Sequence, residues 1–162
     1  SIISAAAFLA AAAPVAQASK AYVHNKCDFP VHVWSVDTDK APGDSTQIES
    51  GGDYNEECRS PEAGGVSIKI NKEDQLAGQI AQFEYTVGGE MAGHLWYDLS
   101  FVDCQNDDCP WMKYPMYMNS GEGCPEVKCA AHEVCAGAYN KWNDDWASRS
   151  CPEGADIHLY LC

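Results

Sequence analysis

Residues 79–87, QIAQFEYTV, place Ala81, Phe83, Tyr85 and Val87 on one side of an extended chain and Gln82, Glu84 and Thr86 on the other. The run HLWYDLSFV that follows repeats the pattern, with Leu95, Tyr97, Leu99 and Phe101 on the apolar side and Asp98 and Ser100 on the polar one. Both read as half-buried strands, separated by the Gly88-Gly89 turn signal. VSIKI at 66–70 and ADIHLYLC at the C-terminus alternate in the same way, the latter with Ile157, Leu159 and Leu161 against His158 and Tyr160. Near the start, AYVHNKCDFPVHVWSVDTD holds two β-rich runs around Cys27 and Pro30, with Val31, Val33 and Ser35 opposite His32, Trp34 and Val36; these predict an N-terminal hairpin.

Between these runs the chain is rich in turn formers. Residues 37–65 carry Pro42, Gly43, Gly51, Gly52, Pro61, Gly64 and Gly65, and a loop follows Asp103. One stretch carries a different period: Val127, Ala131, Val134 and Ala138 fall at i, i+4, i+7 and i+11, with Trp142 continuing the stripe, and predict a helix. Many short strands with one cysteine-rich excursion predict a mainly β fold, a β-sandwich with a small disulfide-rich helical or loop segment. At 162 residues the chain is long enough for one core and short for two.

The first 18 residues change the picture. SIISAAAFLAAAAPVAQA is uncharged, apolar from Ile2 to Ala13, and ends on the small-x-small pattern Ala16-Gln17-Ala18. It reads as a secretory signal clipped at its N-terminus, leaving 19–162 as the domain. About twelve apolar residues fall short of a bilayer span, so no membrane anchor is predicted. Export makes disulfides the default use of the nine cysteines, which form at most four bridges and leave one thiol over. The formal charge of −14 disfavours nucleic acid and anionic membranes as partners.

Cys129, His132 and Cys135 have the composition of a zinc site, but such a site needs reduced thiolates and a fourth ligand. Structural bridges are the expectation, with His132 on the helix surface, and neither a metal nor a cofactor is predicted. The acidic stretches DTDKAPGD and QNDDC lack the ligand spacing of a calcium loop. Cys104 and Cys109 are near enough in sequence to close a small loop.

Five landmarks together resemble the thaumatin-like family: HNKCDFPVHVW, IAQFEYTV, WYDLSFVD, GCPEVKCAA and the closing HLYLC, in that order over residues 21–162. Length and acidity are most similar to the small fungal branch, the yeast-phase-specific (Bys-type) or antigenic thaumatin-like proteins. The resemblance implies a secreted or cell-wall protein and a bridge from Cys27 to Cys162, worth on the order of 4–5 kcal/mol in the chain-entropy model. It also allots Cys129 to a bridge. Cys124 and Cys129 compete for Cys151, and Cys129 to Cys151 is the expected pairing; which thiol stays free is left open.

Family members with glucanase activity use an acidic cleft, whose positions here are implied to be Gln82, Asp98 and Asp103. A glutamate belongs at the first. An amide cannot protonate a leaving group, and Glu84, the next residue on that strand face, is displaced by about 7 Å. Lys69 is the candidate for nearby positive charge. Of the aromatic residues Trp96, Trp111, Tyr114, Tyr117, Trp142 and Trp146, the last two stand beside Asp144 and Asp145 and are the predicted exposed binding residues. The expectation is therefore a secreted, non-enzymatic protein that binds a cell-wall polysaccharide or a host extracellular protein through Gln82, Asp98, Asp103, Trp142 and Trp146. The alternatives are a weak endo-β-1,3-glucanase using Asp98, Asp103 and Glu84, and an antifungal or toxin-like defence protein.

Overall fold

The computed structural model of the chain describes residues 17–104 and 109–162. Residues 1–16 of the predicted signal, and 105–108 within QNDDC, lie outside the described residues.

Among the described residues, eleven strands form two sheets. Strands β1 (Lys20–Asn25), β4 (Asp53–Glu57), β8 (Met116–Asn119), β9 (Val127–Cys129) and β11 (Ile157–Leu161) make a five-stranded sheet in the order β4-β1-β11-β8-β9. Strands β2 (Val31–Val36), β3 (Thr46–Ile48), β5 (Val66–Asn71), β6 (Ala81–Val87), β7 (His94–Ser100) and β10 (Arg149–Pro152) make a six-stranded sheet in the order β10-β7-β6-β5-β2-β3. All neighbours are antiparallel except β1 and β11, which run parallel. Helical structure among the described residues is limited to two short 3₁₀ turns, Pro110–Lys113 and Asp145–Ala147. No helix among them is long and apolar enough to cross a membrane.

The core lies between the sheets. Ala21, Val23, Met118, Ile157, Leu159 and Leu161 face it from one side, and Val33, Ile68, Ile70, Phe83, Tyr85, Tyr97 and Leu99 from the other, all essentially without exposure. The strand alternation read from residues 66–70, 79–87, 94–101 and 157–161 is thus realised: Ala81, Phe83, Tyr85, Leu95, Tyr97 and Leu99 are buried, and Val87 is partly buried at the end of β6. Cross-strand register stacks these residues in rows, Ile68 beside Phe83 and Phe83 beside Leu99, which is the unit of sheet stabilisation.

The predicted N-terminal hairpin does not form: β1 and β2 belong to different sheets. Both runs bury alternate small or branched residues, and that demand is met equally by facing sheets and by a hairpin. The choice is made at the link between them. The fully buried Asn25 donates Nδ2 hydrogens to the Phe29 and Ile48 carbonyls (2.8 and 3.0 Å), and its Oδ1 accepts from the Cys27 amide (3.1 Å), steering the chain across the sandwich.

The predicted helix is also absent. Val127 opens the short strand β9, and the chain from 130 to 144 runs in turns. Cys129 is bonded to Cys135 with Cα atoms 4.8 Å apart, whereas six residues of helix would separate them by about 9 Å. His132 has a left-handed φ of 63° and sits in a turn, not on a helix surface. Val134 of the supposed apolar stripe is 63% exposed.

Four bridges link Cys27 to Cys162, Cys104 to Cys109, Cys124 to Cys151 and Cys129 to Cys135. The expected pairing of Cys129 with Cys151 is therefore corrected: Cys151 takes Cys124. Cys58 is the free thiol among the described residues, half-buried, with its pKa pushed up to about 12 by burial and by the charges of Glu56 and Asp156. The Cys27–Cys162 bridge lies where β1 and β11 end side by side, Asn25 opposite Leu161.

Candidate functional site

The outer face of the six-stranded sheet carries the polar half of the alternation. Register sets its side chains in two adjoining rows: Trp34, Lys69, Gln82 and Ser100 across β2, β5, β6 and β7, then Val36, Ser67, Glu84 and Asp98. A third row starts at Thr86 and Trp96 and continues onto Ser150 of β10. A cleft of about 460 Å³ lies over these rows, lined among others by Ser67, Lys69, Gln82, Glu84, Trp96 and Asp98. It shares Thr86, Trp96 and Ser148 with a neighbouring cleft of about 400 Å³ that reaches Tyr139 and Asp145. At the other end it shares Lys69 with a cleft of about 390 Å³ bounded by Ile80 and Asp103. Through these shared residues they form one groove across the sheet. At one edge its floor is bare backbone: a Cβ on Gly65 would meet Thr86 Oγ1 at 2.3 Å and the Tyr85 carbonyl at 2.5 Å.

Gln82 is only 7% exposed and already has partners. Its Oε1 accepts from Lys69 Nζ (2.5 Å) and from Ser67 Oγ (3.1 Å). Lys69 also faces Asp103 Oδ2 at 3.7 Å, so it ties together two of the expected cleft positions. An amide at residue 82 thus supplies an acceptor to a lysine and leaves no acidic proton there.

Glu84 and Asp98 are directly opposite on β6 and β7. Burial is the first cause of a raised pKa at both; for Asp98 the charge of Glu84 and their mutual hydrogen bond push it further, up to about 8. Ser67, Lys69 and the bond to Asp98 pull Glu84 back down, while the charge of Asp103 opposes them. At neutral pH the pair therefore holds a proton between two carboxyl groups, since both ions cannot be accommodated side by side. Asp98 Oδ1 is buried without a hydrogen-bond partner. The Tyr139 hydroxyl is raised as well, by burial and then by the negative charges of Asp98, Asp145 and Glu84.

Glycoside hydrolysis requires two carboxyl groups about 5–5.5 Å apart for retention, or about 6.5–9.5 Å apart for inversion, with the sugar ring between them. Glu84 and Asp98 instead bond to each other. Asp103 stands in the turn after β7, and its partner is Lys69. As arranged, these groups offer hydrogen-bond donors and acceptors to a bound polar chain. No three His, Cys, Asp or Glu side chains among the described residues are placed to hold a metal ion.

Of the residues singled out from sequence, Gln82, Glu84 and Asp98 come together in the groove, and Asp103 joins them through Lys69. Trp142 and Trp146 are 82% and 62% exposed, but neither lines the groove. They lie on the loop that brings Asp145 and Tyr139 to its end, held because the Tyr139 backbone bonds to Leu99 and Phe101 at the edge of β7. Trp111 is buried in the core. Ser67, Ser148 and Tyr139 were missed as groove residues. Ser67 could have been found from its strand parity in VSIKI; Ser148 and Tyr139 arrive from a loop whose path no period encodes.

Comparison with known proteins agrees with this architecture. The crystal structure of the protein elicitor MoHrip2 from Magnaporthe oryzae superposes with a TM-score of 0.73 at 26% identity, covering 90% of this chain and 99% of that one. The thaumatin-like xylanase inhibitor TLXI superposes with a TM-score of 0.58 at 14% identity, over 88% and 98% of the two chains, a likeness of fold. An antigenic thaumatin-like protein of Arthroderma benhamiae is 33% identical over 161 residues, 95% of this chain and 78% of that protein. The profile of the Bys1 family, described as Blastomyces yeast-phase-specific protein, matches residues 8–162. The chain accordingly belongs to the Bys1 family of thaumatin-like proteins.

Proposed function

We propose that this protein is exported, is not an enzyme, and binds a cell-wall polysaccharide or a host extracellular protein in the groove on its six-stranded sheet, with Trp142 and Trp146 offering ring faces beside it. The observation that carries this reading is Gln82: where a hydrolase of this fold requires a carboxylic acid, the chain has an amide engaged by Lys69 and Ser67. Four disulfides support an oxidising, extracellular destination. The names of its relatives, an antigen and an elicitor, support contact with a host.

Retention of the purified protein on insoluble β-glucan, on chitin and on immobilised extracellular-matrix proteins tests the reading. Binding to one of them, weakened at least tenfold by the Trp142→Ala/Trp146→Ala pair, is the expected result. Retention on none removes it.

One observation favours hydrolysis as a second reading: a carboxyl still protonated near neutral pH, Asp98, lies in the groove and could serve as a general acid. Release of reducing ends from soluble β-1,3-glucan, abolished by Asp98→Asn, would establish it. No release above buffer eliminates it.

A further inference from the structure

The outer face of the five-stranded sheet carries a cluster that the groove does not use. Tyr22 and His24 of β1 project beside His158 and Tyr160 of β11, since the parallel register sets Tyr22 opposite His158 and His24 opposite Tyr160. The four rings stack: Tyr22 on His158 with centroids 4.7 Å apart, and Tyr160 on His24 at 4.4 Å, with planes within 17°. This packing holds both imidazoles in one orientation. It brings His24 Nε2 to 3.0 Å from His158 Nδ1. On the far side of the His24 ring, Nδ1 is 2.5 Å from Asp53 Oδ1 on β4.

Asp53 fixes the chemistry of His24. A carboxylate accepts the hydrogen of Nδ1, which leaves Nε2 with a bare lone pair facing the second imidazole. Two imidazole nitrogens bound side by side to one cation, at about 2.0–2.1 Å each, lie roughly 2.9–3.4 Å apart. The observed 3.0 Å falls in that range. A carboxylate behind a ligating histidine is the usual outer support of such a bond. We propose that His24 and His158 form a two-imidazole site for a borderline divalent transition-metal cation, Cu(II) before Zn(II), with Asp53 as the residue that positions His24.

Copper is placed first because, among first-row divalent ions, nitrogen ligands hold it most tightly and it accepts tetragonal geometry with two adjacent nitrogens. Water fills the remaining positions, consistent with the lack of a third convergent His, Cys, Asp or Glu side chain among the described residues. Binding needs no net loss of a proton. The hydrogen between the rings leaves His158 Nδ1, a hydrogen is taken up from solvent at Nε2, and both imidazoles remain neutral.

The test is titration of the purified protein with Cu(II), followed by calorimetry and by electron paramagnetic resonance. The expected result is one tight equivalent whose spectrum shows coupling to two nitrogens. His24→Ala and His158→Ala should each weaken it at least tenfold, and Asp53→Asn by about tenfold. His132→Ala, on an exposed turn outside the ring cluster's contacts, should leave it unchanged, and near-ultraviolet circular dichroism verifies that each variant is folded. Binding that survives both His24→Ala and His158→Ala, or the absence of any two-nitrogen signal, overturns the proposal.

Discussion

Strands β5 to β7 and the segment from Cys124 to Cys151 are held by different forces. In the first, continuous backbone ladders pair Val66–Asn71 with Ala81–Val87 and those with His94–Ser100. In the second, two disulfides, the three-residue strand β9 and, at its far end, the short strand β10 support a chain that between the two strands runs in turns. A ladder imposes a period of two on every side chain, so apolar spacing there reports burial directly. Cross-links impose no period. In the second region the spacing of Val127, Ala131, Val134 and Ala138 imitated a helix while serving unrelated contacts, with Val127 and Ala138 buried and Val134 in solvent.

The largest effect that could break this comparison concerns the cross-links themselves. Removing the Cys27–Cys162 bridge, which spans 135 residues, should cost about 5 kcal/mol in the chain-entropy model, against about 2 kcal/mol for Cys129–Cys135, which spans 6. Urea unfolding of the paired serine variants measures both. Equal losses would mean that native contacts, not loop closure, set the value of each bridge.

Next comes the ladder region. Phe83→Ala, at a fully buried position, should lower unfolding free energy by about 3–5 kcal/mol.

The proton held by Glu84 and Asp98 gives the third effect. An unfolded aspartate titrates near 3.9 and the folded Asp98 at about 8. The folded state therefore binds more protons across that window, and stability must fall as pH rises from about 4 to about 8. The loss should be on the order of one to a few kcal/mol. Asp98→Asn should flatten the slope and leave the variant ahead of the parent at pH 8, as urea midpoints across the range would reveal. An unchanged slope would mean that the pair does not hold the proton. Smallest is Val134→Ala: with the side chain 63% exposed, stability should move by less than about 0.5 kcal/mol. A loss of 2 kcal/mol would restore a buried apolar stripe in this segment.

The candidate site divides along the same line. Gln82 and Glu84 could be assigned to one strand face from parity alone, and Asp98 to the outward side of the next strand. That Glu84 meets Asp98 follows from register, which depends on how many residues the Gly88-Gly89 turn consumes; Gly88 and Gly89 take positive φ there, and the Gly88 amide bonds to the His94 carbonyl. That Lys69 meets Gln82 depends in the same way on the link between β5 and β6, residues 72–80. The arrival of Ser148 and Tyr139 could not be read at all, because Tyr139 is held by backbone bonds to Leu99 and Phe101 and Ser148 precedes the pairing of β10 with β7, contacts that no period encodes. That Cys151 takes Cys124, and Cys129 takes Cys135, is likewise a matter of proximity in space, with no counterpart in sequence separation.

By itself, then, the order of residues determined the alternating strands at 66–70, 79–87, 94–101 and 157–161, which of their faces is buried, and the composition of the groove's polar rows, because alternation is a local property of an extended backbone. The tertiary structure alone decided that β1 and β2 part into separate sheets, which cysteines join, and which carboxyl groups share a proton. Those outcomes turn on contacts between residues far apart in the chain, such as Asn25 reaching Ile48 and Cys124 reaching Cys151. Their energies appear only once both partners have been brought together.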